Sequence, residues 1–163
     1  MRTAAVLTIS DSVAAGTRED RSGPAVSQRL HSAGWAVSVA EVIPDEKDRI
    51  AGRLRELADG RQVHAIFTTG GTGCALRDVT PEATRAVIDR EIPGLGEWMR
   101  LKGTEKTPLA LLSRATAGAR GSVLIVNLPG SPKGAVESFD AIVELVPHVI
   151  DLLTGNTEHR NAN

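Results

Sequence analysis

Three short apolar runs, each followed directly by small polar residues, glycine or proline, most restrict the folds open to this chain. They are residues 3–10, 63–69 and 122–128. Runs of this length are typical of strands covered on both faces. Residues 35–43 alternate between apolar and polar side chains, which indicates a further strand. Because helical segments separate these strands, the sequence predicts an α/β three-layer sandwich with a mostly parallel sheet.

The helices are predicted from apolar spacing and from cap residues. After the second strand, Ile50, Leu54 and Leu57 form an apolar stripe, and Asp45 is placed as the N-cap of that helix. The remaining helices are predicted at residues 24–34, 80–90, 95–102 and 133–153, the last kinked near Pro147.

Two segments lack a regular pattern. Residues 11–23 predict a loop punctuated by glycines. Residues 103–121 are ambiguous, and their expected core anchors are Leu109, Leu111 and Leu112.

Length and composition restrict the class of protein. A chain of 163 residues is sufficient for one domain, predicted as residues 1–155 with a polar tail at 156–163. A net charge of -1 removes the electrostatic case for bulk nucleic-acid binding. The single Cys74 and four scattered histidines offer neither a disulfide framework nor zinc-ligand spacing. The chain shows no signal peptide and no membrane span, so a cytoplasmic location is expected.

Three segments follow the predicted strands directly: Ser10-Asp11-Ser12, residues 70–78, and residues 129–132. In open α/β sheets, ligands bind beyond the carboxyl ends of the strands. We therefore expect these segments to meet at one binding site.

The loop of Gly70, Gly71, Thr72 and Gly73 leaves a buried strand. Glycines allow the backbone to approach a ligand closely, so that its N–H groups face an anion. A tight strand-to-helix turn is the alternative, and the glycines alone leave both open. The loop lacks the Gly-Lys-Ser/Thr of a Walker A motif, and Leu76 replaces the last glycine of a dinucleotide motif.

Two aspartates are candidate metal ligands. Asp78 is predicted to lie close to the glycine loop, where a carboxylate repels a bound phosphate unless a cation lies between them. Mg²⁺ is the usual cation in such sites. Asp45 is predicted at the carboxyl end of the second strand, where it could complete this site in addition to capping a helix. A solvated loop acid is the alternative for Asp78, and Arg77 is either a phosphate clamp or a surface charge.

A second anion site is predicted at the start of the last helix. Ser131, Pro132 and Lys133 offer a helix N-terminus and a positive charge. The alternative is a rigid prolyl turn with a solvent-exposed lysine.

Five motifs occur together in order: TISDS…DRSG from Thr8, IPDE from Ile43, TTGGTG…RDVTPEAT from Thr68, LSRATAG from Leu112 and LPGSPKGA from Leu128. In this combination the chain resembles the MogA/MoaB-type molybdopterin-binding family, which includes the G domains of gephyrin. The resemblance covers nearly the whole chain. It implies an α/β fold that binds molybdopterin and usually assembles as a homotrimer.

The resemblance also implies an activity. Active members use Mg-ATP to convert molybdopterin into adenylyl-molybdopterin and pyrophosphate, and the MoaB-like branch includes proteins that lack the two aspartates. This chain retains both, so Asp45 and Asp78 are the predicted catalytic residues and Mg²⁺ ligands. The predicted substrate-binding residues are Ser10, Asp11, Gly70, Gly71, Thr72, Gly73, Ser113, Pro129, Gly130, Ser131 and Pro132.

Two other functions stay open at this point. The chain could bind molybdopterin without catalysing transfer, as MoaB-like relatives do. A CinA-like hydrolase is a weaker alternative, because Ser10-Asp11-Ser12 replaces the GDE motif of that type. A downstream molybdenum-insertion protein is a further expected partner.

Overall fold

A six-stranded sheet forms the central layer of the structure, a computed structural model that describes residues 1–156. The strands are β1 (Thr3–Ile9), β2 (Ala36–Ile43), β3 (Ala65–Thr69), β4 (Arg90–Glu91), β5 (Ala117–Arg120) and β6 (Val123–Leu128). Their order in the sheet is β2-β1-β3-β6-β5-β4. β1 pairs in parallel with β2 and β3, and β3 pairs in parallel with β6. β5 runs antiparallel to β6 and to β4.

Helices cover both faces of this sheet. They are α1 (Asp11–Ala14), α2 (Ser22–Ser32), α3 (Lys47–Asp59), α4 (Thr80–Arg85), α5 (Pro93–Gly103), α6 (Pro132–Ile142) and α7 (Leu145–Leu153), with a 3-10 helix at Pro108–Leu112. α2, α5, α6 and α7 pack on one face, and α3 and α4 pack on the other. No helix within residues 1–156 has the length and apolarity needed to cross a membrane.

Alternate side chains of the central strands pack into two separate cores, one on each face of the sheet. In β1, Ala4 and Val6 belong to the core beneath α2 and α6, whereas Ala5 and Leu7 belong to the core beneath α3. This division follows from the two-residue period of a strand. The two cores confirm the predicted three-layer α/β sandwich.

Predicted loop and helix boundaries were wrong in two places. Residues 11–23 are not all loop, because α1 begins at Asp11 and α2 begins at Ser22. α4 ends at Arg85 rather than near residue 90. The chain beyond it joins the sheet instead, and the amides of Asp89 and Ile92 donate to carbonyls of β5.

The expected core anchors of residues 103–121 are exposed. Leu109, Leu111 and Leu112 retain 69%, 60% and 58% of their accessible surface. A short 3-10 helix carries them, and its side chains do not reach either core. The core residues of this stretch are the small Ala115, Ala117 and Ala119, the last two of which lie in β5.

The last helical segment consists of two helices rather than one kinked helix. α6 ends at Ile142 and α7 begins at Leu145. Pro147 lacks an amide proton and cannot donate to the carbonyl of Val143, so a continuous helix would lose a hydrogen bond there. The predicted tail, residues 156–163, lies outside the described residues except for Asn156.

The aromatic cluster of the larger core gives a stability prediction. Phe67 is fully buried and meets Trp35 and Phe139 edge-to-face, at centroid distances of 6.1 and 5.3 Å. We expect Phe67→Ala to lower the free energy of unfolding by about 3–5 kcal/mol, because it leaves a cavity between the other two rings. Urea denaturation measures this change. Leu76→Ala, at a fully exposed position, is the control and should stay within about 0.5 kcal/mol of the unchanged protein.

Candidate active site

The carboxyl ends of β1, β3 and β6 converge at Gly70. A Cβ atom on Gly70 would overlap the carbonyl oxygen of Ile9, and the φ of Gly70 is +105°. Its amide donates to the carbonyl of Leu128 over 3.1 Å. Gly70 thus lies between the ends of two neighbouring strands, where a side chain would collide with the backbone.

The loop after β6 lies against the same glycine. Thr69 Oγ1 donates to the carbonyl of Pro129 over 2.7 Å. A Cβ on Gly130 would lie 3.3 Å from the Cα of Gly70. The three strand-end segments that the sequence predicts to meet therefore lie at one edge of the sheet.

Both candidate carboxylates lie against the glycine loop. A Cβ on Gly71 would lie 3.0 Å from Asp45 Oδ1, and a Cβ on Gly73 would lie 2.8 Å from Asp78 Oδ2. The loop can pass between these groups only because it has no side chains at the two positions. The structure thus brings Asp45 and Asp78 together at this loop, although they are far apart in sequence.

The carboxylate of Asp45 joins two strand ends rather than capping α3. Its Oδ2 accepts from the amide of Asp11 over 2.8 Å, and its own amide donates to Asp11 Oδ1 over 3.0 Å. Glu46 occupies the N-cap position of α3 and makes no side-chain hydrogen bond there. The predicted capping role of Asp45 is therefore wrong, because its side chain turns toward the loop after β1.

Arg77 binds the side chain of Asp11. Its Nε and Nη2 atoms donate to the two carboxylate oxygens of Asp11, both over 2.9 Å. The carboxylate of Asp11 thus has protein partners on both oxygens, and its substrate contact stays a prediction. The sequence leaves Arg77 open as a phosphate clamp or a surface charge. In the structure it binds a carboxylate, and this contact holds the loop before Asp78 against the loop after β1.

The electrostatic environment raises the pKa of Asp45. Burial of the carboxyl is the largest cause, and the negative charges of Asp11 and Asp78 raise the pKa further. The amide of Asp11 and the charge of Arg77 oppose this rise without cancelling it. Raised pKa values of this origin are common where carboxylates are gathered to bind a cation or a proton.

A buried hydroxyl next to the carboxylates has no partner among residues 1–156. Thr80 is fully buried, and its Oγ1 makes no hydrogen bond within that range. The same atom would overlap a Cβ on Gly71, the point that Asp45 also approaches. Thr80 is the first residue of α4, and Val79 rather than Thr80 occupies the N-cap position.

These groups fit a Mg²⁺ ion that completes its coordination elsewhere. Carboxylate and hydroxyl oxygens are the ligands that Mg²⁺ prefers, and it is commonly held by one or two carboxylates with substrate phosphates and water. Within the part of the chain that the structure describes, no three His, Cys, Asp or Glu side chains form a cluster that could hold a metal ion by themselves. Water and substrate oxygens would supply the remaining ligands.

A groove of about 580 Å³ extends from this edge between α5, the 3-10 helix and α6. Ser113, Pro129 and Ser131, all predicted to bind substrate, contribute to its wall. Lys102 on α5 is paired with Glu105, and Glu137 and Asp140 contribute negative charge from α6. Because its charges balance, the groove is suited to the organic part of a ligand whose phosphates lie at the neighbouring strand ends.

The predicted serine contacts are partly taken up by helix caps. Ser10 Oγ accepts from the amide of Val13 at the start of α1, over 3.2 Å. Ser131 Oγ accepts from the amide of Gly134 at the start of α6, over 3.0 Å, and Pro132 is the first residue of that helix. These serines shape the helix starts that face the site.

Sequence patterns did not single out two residues of this site. Thr80 was assigned only to a helix start, and Arg114 was included only as part of the LSRATAG motif. Arg114 forms an ion pair with Glu82 and donates to backbone carbonyls of the glycine-loop segment. Arg114 lies about 40 residues after the loop that it contacts, and local sequence patterns do not predict contacts over such a distance.

Comparison with known proteins assigns the family. A family model described as "Probable molybdopterin binding domain" matches residues 5–148, which include every part of the site described above. The chain belongs to this molybdopterin-binding family.

Similar proteins agree with this assignment. The molybdopterin adenylyltransferase of Helicobacter pylori (strain J99) is 42% identical over 155 residues, which cover 93% of this chain and 87% of the relative. That of Escherichia coli (strain K12) is 41% identical, covering 92% of this chain and 84% of the relative. The crystal structure of the molybdopterin biosynthesis enzyme MoaB from Thermus thermophilus has a TM-score of 0.90 and 49% identity, covering 95% of this chain and 98% of that chain.

The proximity of the two site aspartates gives a prediction for the metal-free protein. Asp78→Asn should lower the pKa of Asp45 toward the ordinary aspartate value of about 3.9, because one of the negative charges that raise it is removed. Carboxyl-detected NMR titration measures this pKa directly. Asp48→Asn, an exposed charge-matched change on α3, is the control and should leave it unaltered. An unchanged Asp45 pKa in Asp78→Asn would show that the two carboxylates do not interact.

Proposed function

We propose that this chain is a molybdopterin adenylyltransferase, which transfers AMP from Mg-ATP to molybdopterin and releases pyrophosphate. The family assignment and the adenylyltransferases at 41–42% identity support molybdopterin adenylylation. The proposal that the protein catalyses this transfer is supported by the position of Asp45 and Asp78 against a glycine loop at the carboxyl edge of the sheet. A protein that only binds molybdopterin has no need of this acidic pair.

The reaction requires positioning and charge neutralisation more than a strong base. The terminal phosphate of molybdopterin is already anionic and attacks the α-phosphorus of ATP. A phosphorus–oxygen bond forms there, the bond to the β-phosphate breaks, and pyrophosphate leaves with its electron pair. The barrier arises from bringing several anions together, which fixed donors and cations reduce.

The residues of the glycine loop supply the fixed donors. Glycine at positions 70, 71 and 73 lets the loop lie directly against the end of β1 and the two carboxylates, and backbone amides of this loop would donate to phosphate oxygens. The side chains of Asp45 and Asp78 would hold Mg²⁺, with the Thr80 hydroxyl available to its coordination shell. When bound, Mg²⁺ supplies positive charge to the ATP phosphates and to the leaving pyrophosphate.

The groove beside the loop would hold the remainder of the substrates. Ser113 and the segment from Pro129 to Pro132 border both the groove and the strand ends. A ligand lying there would direct its phosphates at the loop. We expect the wall of the groove to select the organic part of the substrate, and the loop and aspartates to act on the phosphates.

We further propose that the protein acts as a homotrimer in the cytoplasm and passes its product to a molybdenum-insertion protein. The resemblance to trimeric relatives supports the assembly, and so do the exposed side chains of Leu111 and Leu112. Light scattering coupled to gel filtration should give a mass near three chains of 17.2 kDa each. A mass of one chain would contradict the trimer and leave the proposed activity unaffected.

The metal-binding role of Asp78 gives the decisive activity test. In an assay with molybdopterin, ATP and Mg²⁺, Asp78→Asn should lower the formation of adenylyl-molybdopterin by at least about 100-fold. The substitution removes the negative charge of a proposed Mg²⁺ ligand, and Mg²⁺ would stabilise the charge of the leaving pyrophosphate. Binding of molybdopterin should be retained. Chromatography of the product and of released pyrophosphate measures both outcomes.

The matched control for this test is Asp48→Asn. Asp48 lies on the exposed side of α3, so its substitution should leave turnover unchanged. Turnover that survives Asp78→Asn would contradict the metal assignment. Molybdopterin binding without any ATP-dependent product in the unchanged protein would instead favour a non-catalytic binding protein, and pyrophosphate cleavage without molybdopterin would favour a hydrolase.

A further inference from the structure

We infer that Arg114 is a positioning residue that orients the anion-binding amides of the glycine loop. Its backbone amide donates to the carbonyl of Thr72 over 2.8 Å. Its Nε donates to the carbonyl of Gly73 over 2.7 Å, and its Nη2 donates to the carbonyl of Asp78 over 2.6 Å. One residue therefore binds the segment on both sides of its exposed tip. The inference rests on the proposed function and deepens it.

Other contacts hold the loop at different points: Arg77 binds the carboxylate of Asp11, and the amide of Thr80 donates to the carbonyl of Gly71. Residues 74–77 are exposed, and Leu76 is fully so. Within the tip, Asp78 Oδ2 accepts from the amide of Ala75, and the amide of Asp78 donates to the carbonyl of Ala75. These bonds close the turn, and the carbonyls of Thr72 and Gly73 accept instead from Arg114.

The geometry of the peptide group converts the arginine contacts into amide directions. A trans peptide is planar, so the N–H of each residue points opposite to the preceding carbonyl. The carbonyls of Thr72 and Gly73 both point at Arg114. The amides of Gly73 and Cys74 therefore each point away from the atom of Arg114 that the preceding carbonyl meets.

These two amides are free to bind a ligand. Neither Gly73 nor Cys74 donates its amide proton to any acceptor within residues 1–156. Successive backbone N–H groups without a protein acceptor can together form a concavity that suits an anionic oxygen. Arg114 thus holds the donors in place before the phosphate arrives, which lowers the ordering cost of binding.

The arginine itself is held by Glu82. Its Nη1 pairs with one carboxylate oxygen of Glu82, and its Nη2 lies 3.4 Å from the other. The ion pair neutralises the guanidinium and fixes its plane. Arg114 therefore acts on the phosphate through the backbone carbonyls and not as a phosphate ligand.

The test is binding of inorganic pyrophosphate to the full-length protein in the presence of Mg²⁺, because the carboxylate of Asp78 lies against Gly73. Binding is followed by ¹⁵N-amide NMR. In the unchanged protein, the amide resonances of Gly73 and Cys74 should shift on titration. Arg114→Lys keeps the charge but offers one nitrogen in place of three, so it cannot bind Gly73, Asp78 and Glu82 together. The backbone amide at this position still binds the carbonyl of Thr72. We therefore expect Arg114→Lys to weaken pyrophosphate binding by at least about tenfold and to reduce the shift of the Cys74 amide more than that of the Gly73 amide.

Arg120→Lys is the matched control for stability. Arg120 makes a similar contact at the opposite end of β5, donating to both carboxylate oxygens of Asp59 and to the carbonyl of Val87. Arg120→Lys should lower Tm by about as much as Arg114→Lys does, and it should leave pyrophosphate binding unchanged. Glu82→Gln removes the charge of the ion pair but keeps one side-chain oxygen that can accept from Arg114, so the carbonyls of Thr72 and Gly73 stay bonded and most of the binding should be retained.

Each outcome separates the inference from the proposed function. Unchanged amide shifts and affinity in Arg114→Lys would overturn the positioning role, and adenylylation could still proceed. Equal losses in Glu82→Gln and Arg114→Lys would also overturn it, because the ion pair rather than the carbonyl contacts would then be responsible. If Arg114→Lys does not fold, two measurements still test the positioning role: Glu82→Gln should retain most of the pyrophosphate binding, and the unchanged protein should show shifts at Gly73 and Cys74. An absence of shifts at Gly73 and Cys74 in the unchanged protein overturns the inference, whereas the proposed function fails only if no adenylyl-molybdopterin forms.

Discussion

The close approach of backbone segments at Gly70 is the constraint on which the site depends. The carbonyl of Ile9 occupies the space where a side chain would be, and Gly130 approaches from the other side. The ends of β1, β3 and β6 are therefore in direct contact without intervening side chains. The parallel register of these three strands brings their ends to one edge of the sheet. The loops that follow them share one small volume.

The same close approach brings several charged side chains together at the edge of the sheet. Asp11, Asp45 and Asp78 interact electrostatically at one edge, and Arg77 compensates part of their negative charge. The reciprocal bonds between Asp11 and Asp45 fix two loops to each other, and Arg77 adds the third. Burial keeps the pKa of Asp45 high, which indicates an environment where a carboxylate is short of positive partners. Such an environment favours a divalent cation.

Much of this arrangement could be predicted from the sequence, because its signals are local. Buried strands such as β3 and β6 and the stripe of Ile50, Leu54 and Leu57 depend on short-range periodicity. The meeting of the strand-end segments followed from the rule for parallel sheets. The exposed leucines of the 3-10 helix and the roles of Thr80 and Arg114 depend on contacts between distant segments. Local pattern does not encode such contacts, so these features became visible only in the folded chain.

The division of the site between main chain and side chains has a consequence for how such proteins diverge. The atoms packed against Gly70 belong to the backbone, and those packed against Gly71 and Gly73 belong to Asp45, Thr80 and Asp78, so a side chain added at any of these glycines would displace the strand ends or the site itself. The groove next to them is walled by side chains of α5, the 3-10 helix and α6, many of them solvent-exposed. Selection can rebuild that wall for a new organic group while the phosphate end stays the same. Descendants of one ancestor can thus acquire different substrates and keep a common chemistry.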